Sequence, residues 1–298
     1  MTNLNYVNLD NRRVLEISGD DARDFLQGLV SNDLERVSPT SAIHAALLTP
    51  QGKYLHDFFI LEMNGKLYLD CEAARLDDLY KRLRMFKLRA KVELEIIDDL
   101  TVVALFGDGA APALGLESKA GLAVERDNGA IYIDPRLSAI GARAMLPKET
   151  IDKILSDVGF AKADFKSYDN LRLSLGLPDS SRDLQIDKSI LLESGFEELN
   201  GVDFDKGCYV GQELTARTKH RGLIKKRLIP VEYDGPALAA GTEITQGGKN
   251  AGELRSSLIT DDHGIGLALL RLEALDNTEP LMADGTPLTP NKPAWVNF

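Results

Sequence analysis

The 298-residue chain contains 44% apolar and 27% charged residues, which is ordinary globular usage and excludes a disordered chain. Its length exceeds that of a usual single domain, so we expect two or three domains, each with a core of its own. With 35 basic against 46 acidic residues, the net charge of −11 argues against a nucleic acid or an anionic membrane as the main partner, although a local basic patch could still matter.

The chain shows no targeting or membrane-spanning pattern. The first residues lack a basic region followed by an apolar run, and no segment approaches the length that a bilayer crossing needs. We therefore expect a cytoplasmic protein without membrane contact. The two cysteines, Cys71 and Cys208, are far apart and have no second pair for a disulfide framework, so reduced thiols are expected.

The first hundred residues predict an α+β region. A strand at 14–17 is followed by a helix through Phe25, Leu26 and Leu29, which capping and acidic residues precede. Apolar runs joined by turn residues then predict a three-stranded antiparallel meander over 43–49, 54–63 and 66–71.

The rest of the chain continues with mixed elements and then changes character. Leucines at helical spacing predict a helix over 76–86, and further strands and two helices, at 149–158 and 165–174, follow. From residue 225 onward, short strands alternate with turn residues, which favours a small β-barrel. The predicted domains are 1–100, 101–224 and 225–298, and the first two could interleave.

Several common chemistries lack their residues here. The sequence has no GxxxxGK[ST] loop and no GxSxG elbow. The four histidines show no ligand spacing, and two distant cysteines cannot supply the four thiolates that usually hold an iron–sulfur cluster. We therefore expect no permanently bound metal.

The octet 206–213, Lys-Gly-Cys-Tyr-Val-Gly-Gln-Glu, is the richest chemical motif of the chain. Glycines let a backbone turn tightly and approach a ligand, so the octet suits a binding loop. Basic residues follow at Arg217, Lys219, His220 and Arg221, and such a cluster favours a reactive thiol and attracts a carboxylate. A lone cysteine is more often a core residue, as we expect for Cys71, but this setting favours a functional Cys208.

The octet resembles the signature K-G-C-Y-x-G-Q-E of the YgfZ family, and residues 214–222 and 225–228 resemble its mitochondrial branch. The resemblance is sharpest over about 165–230. It implies a three-domain ring related to the aminomethyltransferase of the glycine cleavage system, with a central folate-binding cavity. It also implies work with iron–sulfur assembly proteins on [4Fe–4S] client enzymes, including radical S-adenosylmethionine enzymes that modify tRNA.

The resemblance assigns roles to single residues. Cys208 and Lys206 would be the catalytic pair, and a tetrahydrofolate or related folate would contact six side chains: Asp57, Arg172, Tyr209, Gln212, Glu213 and Arg217. For Asp57 the alternative is a plain acid on a hairpin strand, and for Arg172 it is an exposed helix arginine.

Two departures from the aminomethyltransferase pattern weigh against one-carbon transfer. His56 stands where that enzyme has one acid of a pair, and Ser174 stands where it has a glutamate. A tetrahydrofolate-dependent methylene transferase or demethylase nevertheless remains an alternative to the assembly factor. A thiol redox protein is a third alternative, which the lack of a CxxC partner weakens.

Overall fold

The computed structural model describes residues 3–222, 224–260 and 263–297. The strands are β1 (Asn5–Asn8), β2 (Arg12–Ser18), β3 (Ile43–Leu48), β4 (Tyr54–Met63), β5 (Lys66–Glu72), β6 (Glu93–Ile97), β7 (Leu100–Phe106), β8 (Ala123–Arg126), β9 (Gly129–Ile133), β10 (Ala142–Pro147), β11 (Ala161–Lys162), β12 (Lys226–Asp234), β13 (Glu243–Gln246), β14 (Lys249–Thr260), β15 (His263–Arg271), β16 (Leu281–Ala283) and β17 (Thr286–Pro290). The α-helices are α1 (Ala22–Gln27), α2 (Leu76–Lys87), α3 (Ala110–Ala113), α4 (Ile151–Asp157), α5 (Phe165–Ser174), α6 (Ser180–Asp183), α7 (Gln212–His220) and α8 (Leu272–Leu275).

The first sheet is antiparallel, with the strand order β3-β4-β5-β2-β6. It contains the predicted meander, in which Ile43 lies opposite Ile60 and Phe58 lies opposite Cys71. Successive side chains of β4 point to opposite faces. Phe58 and Ile60 pack against α1 and α2, whereas Phe59 and Leu61 pack toward the second sheet. This strand is therefore buried on both sides.

The second sheet has the order β11-β1-β7-β10-β9-β8. Its pairs are antiparallel except that of β1 with β11. The first strand of the chain thus belongs to the sheet that residues after 100 mostly build, while β2 lies in the first sheet. The two sheets share an apolar core to which both contribute, including Phe59, Tyr68, Val102, Tyr132 and Met145. The domain boundaries at 100 and 224 stay a prediction.

The C-terminal part is the predicted barrel, closed in the order β12-β15-β14-β13-β16-β17. Closure comes from the pairing of β12 with both β15 and β17, and it leaves no free sheet edge. Ile229, Val231, Leu254 and Ala268 are among the fully buried side chains that fill it. Together with the two sheets and their helices, this barrel confirms the predicted α+β class.

Helix predictions succeeded where apolar spacing was regular. The helices expected at 76–86, 149–158 and 165–174 are confirmed as α2, α4 and α5. The sequence reasoning missed α7, because its only buried residue is Thr215 and the helix therefore lacks an apolar stripe. Along the described ranges, none of the helices is long and apolar enough to span a bilayer.

Candidate functional site

The octet forms a loop that leads into α7, and its two glycines have positive φ values. Gly207 has φ +90° and Gly211 has φ +85°, a region that residues with a Cβ rarely adopt. Gly211 is also crowded, because a Cβ there would come within 2.6 Å of the Thr49 carbonyl oxygen. At Gly211 the loop therefore packs backbone to backbone against the turn between β3 and β4.

Lys206 anchors this loop to the end of α1. Its Nζ donates to the carbonyl oxygens of Gln27 at 2.7 Å and Val30 at 2.6 Å, and it lies 5.2 Å from the centre of the Tyr209 ring. Carbonyls after the last turn of a helix lack intrahelical partners, and a cation there is favourable. Burial lowers the pKa of Lys206 to about 8. The ammonium thus holds the loop in place, and its catalytic role stays a prediction.

The two cysteines lie in opposite environments. Cys208 is exposed on the loop. Cys71 is 1% exposed within β5, where its Sγ donates to the Arg13 carbonyl at 3.4 Å and burial raises the pKa of its thiol to about 12. The expectation of a core thiol at Cys71 is confirmed, and Cys208 is the thiol open to partners.

The other octet side chains divide between core and surface. Tyr209 is buried in an apolar cluster that also contains Leu48, Tyr54 and Phe196, and burial raises its pKa to about 12. Gln212 begins α7. Glu213 and Arg217, one turn apart on α7, form an exposed ion pair with 2.7 Å between carboxylate and guanidinium. The buried Tyr209 therefore fixes the loop to the apolar cluster, whereas Glu213 and Arg217 pair with each other on the exposed surface.

Asp57 and Arg172 lie apart from the octet and line an inner cavity of about 40 Å³ between the two sheets and α5. Both Asp57 oxygens accept hydrogen bonds, from His44 Nε2 at 3.0 Å and from the Tyr54 hydroxyl at 3.1 Å. Burial raises the pKa of Asp57, but the His44 contact and the Arg12 charge outweigh it and hold that pKa well below its usual range.

Arg172 is buried rather than exposed, contrary to the simpler explanation that the sequence allowed. Its guanidinium pairs with Asp169 and Asp183, each at 2.8 Å, and also donates to the Leu177 carbonyl at 2.8 Å. Asp57 and Arg172, both assigned to folate by the resemblance, are thus occupied by protein partners.

His56 and Ser174, the two departures from the transferase pattern, are absent from the lining of the inner cavity. His56 points to the opposite face of β4 from Asp57, where its Nε2 lies 2.8 Å from Asp78 of α2. Ser174 is exposed and donates to the Leu171 carbonyl. Strand alternation explains the first placement, since neighbouring residues cannot share a face.

Sequence reasoning missed most of the charges in the inner cavity. The guanidinium carbons of Arg12, Arg136 and Arg143 lie 5.7, 5.0 and 4.3 Å from the centre of the Phe59 ring. Arg12 and Arg143 share the buried Asp70, at 2.5 and 2.6 Å, and Arg136 pairs with Asp134 at 2.8 Å. These residues come from distant strands and loops, so no local motif marks them.

An outer recess of about 600 Å³ adjoins the inner cavity. The residues that line both spaces are Asn11, Phe165, Asp179 and Arg182. Arg182 is held by Asp169 at 2.5 Å and Asp179 at 2.8 Å, and its guanidinium lies 5.7 Å from the Phe165 ring centre. In the described part of the chain, no group of three or more His, Cys, Asp and Glu side chains could hold a metal ion.

Comparison with known proteins agrees with this architecture. Residues 225–298 match the family model described as the CAF17, C-terminal beta-barrel domain. The crystal structure of the glycine cleavage system aminomethyltransferase T from Bartonella henselae is similar with a TM-score of 0.81, covering 99% of this chain and 86% of that one. At 15% identity this similarity shows the fold alone. It confirms the predicted aminomethyltransferase-like architecture.

Two mammalian relatives match most of the chain. The mitochondrial iron-sulfur cluster assembly factor IBA57 of Homo sapiens is 35% identical over 289 residues, and that of Mus musculus is 33% identical over 297. Each alignment covers 90% of this chain and 77% of the relative. The expectation of a cytoplasmic protein is wrong, because these relatives are named mitochondrial. That expectation was based on the lack of a recognisable targeting pattern, which is not a guide to location here. The chain belongs to the IBA57 family, the YgfZ-type relatives of the aminomethyltransferase fold.

Proposed function

We propose that this protein assists the assembly or repair of [4Fe–4S] proteins and that its Cys208 loop is the working part. The observation that carries the proposal is the exposed Cys208 thiol between two anchors, the half-buried Lys206 and the buried Tyr209. The names of the human and mouse relatives support the same role.

The loop is built to present a thiol outward. Lys206, two positions before Cys208, is hydrogen-bonded to the end of α1, and Tyr209, directly after Cys208, is buried in the apolar cluster. Further along, Gly211 packs against Thr49. Fixed neighbours reduce the entropy that a partner must remove on binding. Because one thiolate cannot hold a cluster alone, Cys208 would contact sulfur, iron or a partner thiol only transiently, with the other ligands coming from the partner.

Folate binding is the second part of the proposal. Sites for ligands of this size usually enclose about 300 Å³ or more, so tetrahydrofolate does not fit the inner cavity alone. The outer recess has the volume, and Phe165 and Arg182 line both spaces. We therefore place folate across the two spaces after these side chains move. Asp10, Glu72 and Asp179 also line the recess, so the carboxylates of folate would rely on arginines released from their present pairs.

The folate part has its own test. Calorimetric titration of the purified protein with tetrahydrofolate should show weaker binding for Arg182→Ala than for wild type, because the variant removes the arginine that lines both spaces. Arg84→Ala, on the exposed face of α2, is the matched control for a lost arginine and should bind like wild type. If neither wild type nor Arg182→Ala binds, the folate part is wrong while the assembly role stands.

The assembly role is tested in cells that lack their own IBA57-family protein. The wild-type chain, Cys208→Ala and Cys71→Ala are expressed at equal levels, and the activity of a [4Fe–4S] enzyme is measured. We expect restoration by wild type, loss with Cys208→Ala and at least partial restoration with Cys71→Ala. Full restoration by Cys208→Ala would remove the thiol from the mechanism. The one-carbon transferase alternative gains no support beyond the shared fold.

A further inference from the structure

A further polar cavity, of about 370 Å³, lies where the turn before β4, the segment 183–194 and the barrel meet. We call it the junction cavity. Lys53 comes from the turn, Lys188 and Glu193 from the segment, and Lys226 and Arg255 from barrel strands β12 and β14. It shares no lining residue with the inner cavity or the outer recess. Junctions between packed units are common positions for small-molecule sites.

Positive charge in the junction cavity is largely unneutralised. Lys53, Lys188 and Lys226 have no side-chain hydrogen bond or ion pair among the described residues. In a protein with a net charge of −11, three lysines left free at one cavity are unexpected for a merely solvated surface. Ammonium groups held near a concave, partly buried surface concentrate small anions.

Arg255 adds a buried donor. It is 9% exposed, and one of its terminal nitrogens pairs with Glu253 at 2.9 Å, while its Nε has no hydrogen-bond partner. A buried N–H without a partner is costly, and native structures usually supply one. An oxygen of a bound anion would satisfy this donor.

The acids at the cavity do not cancel this charge. Asp183 pairs with Arg172 at 2.8 Å, and Glu253 is taken by Arg255. Glu193 remains, half-buried and under the influence of Lys226, Lys53 and Arg255, and burial raises its pKa above the ordinary value. The cavity lining therefore combines three unpaired lysines and the partnerless Arg255 Nε with one carboxylate, that of Glu193, outside any ion pair between described residues.

We propose that the junction cavity binds a small polyanion whose phosphate or carboxylate groups contact Lys53, Lys226 and Arg255. Its volume lies within the usual range for small-molecule sites. Bound anion would also brace the octet loop, because Gly52, next to Lys53, packs against Gly211. This site is independent of the Cys208 chemistry proposed above.

Calorimetric titration with inorganic pyrophosphate and with citrate tests the proposal on the full chain. We expect saturable binding of at least one anion, and the preferred anion distinguishes a phosphate-bearing from a carboxylate ligand. Lys226→Ala should weaken binding about tenfold, as expected for one charge-assisted hydrogen bond. Glu193→Gln should tighten it, because it removes the opposing carboxylate, and no general loss of structure gives that sign.

Lys249→Ala, an exposed lysine of β14 outside the cavity, is the matched control and should bind like wild type. Lys188→Ala repeats the test on an exposed segment, so that weaker binding cannot be ascribed to unfolding of the barrel. Absence of saturable binding for both anions overturns the proposal, and so does an equal effect of Lys226→Ala and Lys249→Ala.

Discussion

The inner cavity and the octet loop handle charge in opposite ways. Beside the cavity, Arg12 and Arg143 both pair with the fully buried Asp70. On the loop, Cys208 stands in solvent, and only its neighbours are tied down. Buried ion networks are costly to break, whereas an exposed group can change with little effect on folding. We infer that the cavity charges mainly hold the two sheets together and that the loop is free to act on partners.

The largest effect is expected on the cavity side, from Asp70→Asn. Asp70 is fully buried and accepts from Arg12, Arg143 and Tyr132, so its loss leaves two guanidinium groups without their counter-ion. The free energy of unfolding should fall by about 3–5 kcal/mol, measured by urea denaturation. Asp20→Asn, at an exposed pair with Lys91, should change it by less than about 1 kcal/mol. Equal losses would contradict the comparison.

Acid should weaken the sheet that frames the cavity. Burial, and next the Arg75 charge, lower the pKa of His56 to about 4. The unfolded chain, with an ordinary histidine pKa, therefore binds the proton more readily than the folded protein between about pH 6.5 and 4. This contribution to stability is complete above about pH 6.5 and is lost as the pH falls to about 4, up to about 3 kcal/mol.

The matched variant for this titration is His56→Gln. Its unfolding free energy should fall less steeply over the same pH range than that of wild type, because one of the titrating groups is gone. Identical slopes would show that His56 does not carry the effect.

Lys206→Ala tests the anchor of the loop. It removes two charge-assisted hydrogen bonds to carbonyl oxygens, so the unfolding free energy should fall by about 1–3 kcal/mol. Lys249→Ala, a lysine without such partners, should stay within about 0.5 kcal/mol of wild type. If the two lysine variants unfold alike, Lys206 does not hold the loop.

The smallest effect belongs to Glu213→Ala. Its pair with Arg217 is an exposed pair four residues apart on a helix, and such pairs contribute about 0.5 kcal/mol or less. Thermal unfolding should be almost unchanged. A large loss would mean that the exposed face of α7 is part of the protein's structural core after all.

The sequence predicted the parts of the fold that local patterns encode. Apolar runs separated by turn residues predicted the meander and the barrel, and leucines at helical spacing predicted α2. It could not give α7, whose exposed polar faces carry no apolar period, or the assembly of Arg12, Arg136 and Arg143 around Phe59, because those contacts exist only once two sheets have packed. At the site, the octet motif singled out Cys208. Only the folded structure shows that Lys206 donates to carbonyl oxygens at the end of α1 and that Asp57 and Arg172 line a separate cavity.

The most direct test of the account is the rate at which iodoacetamide modifies each cysteine in the folded protein, followed by mass spectrometry of the individual sites. We predict rapid modification of Cys208, with Cys71 unmodified until the protein is unfolded in urea, and an unfolding free energy that alkylation of Cys208 leaves unchanged. Protection of Cys208 to the same degree as Cys71 would contradict the claim that an anchored loop presents this thiol to partners.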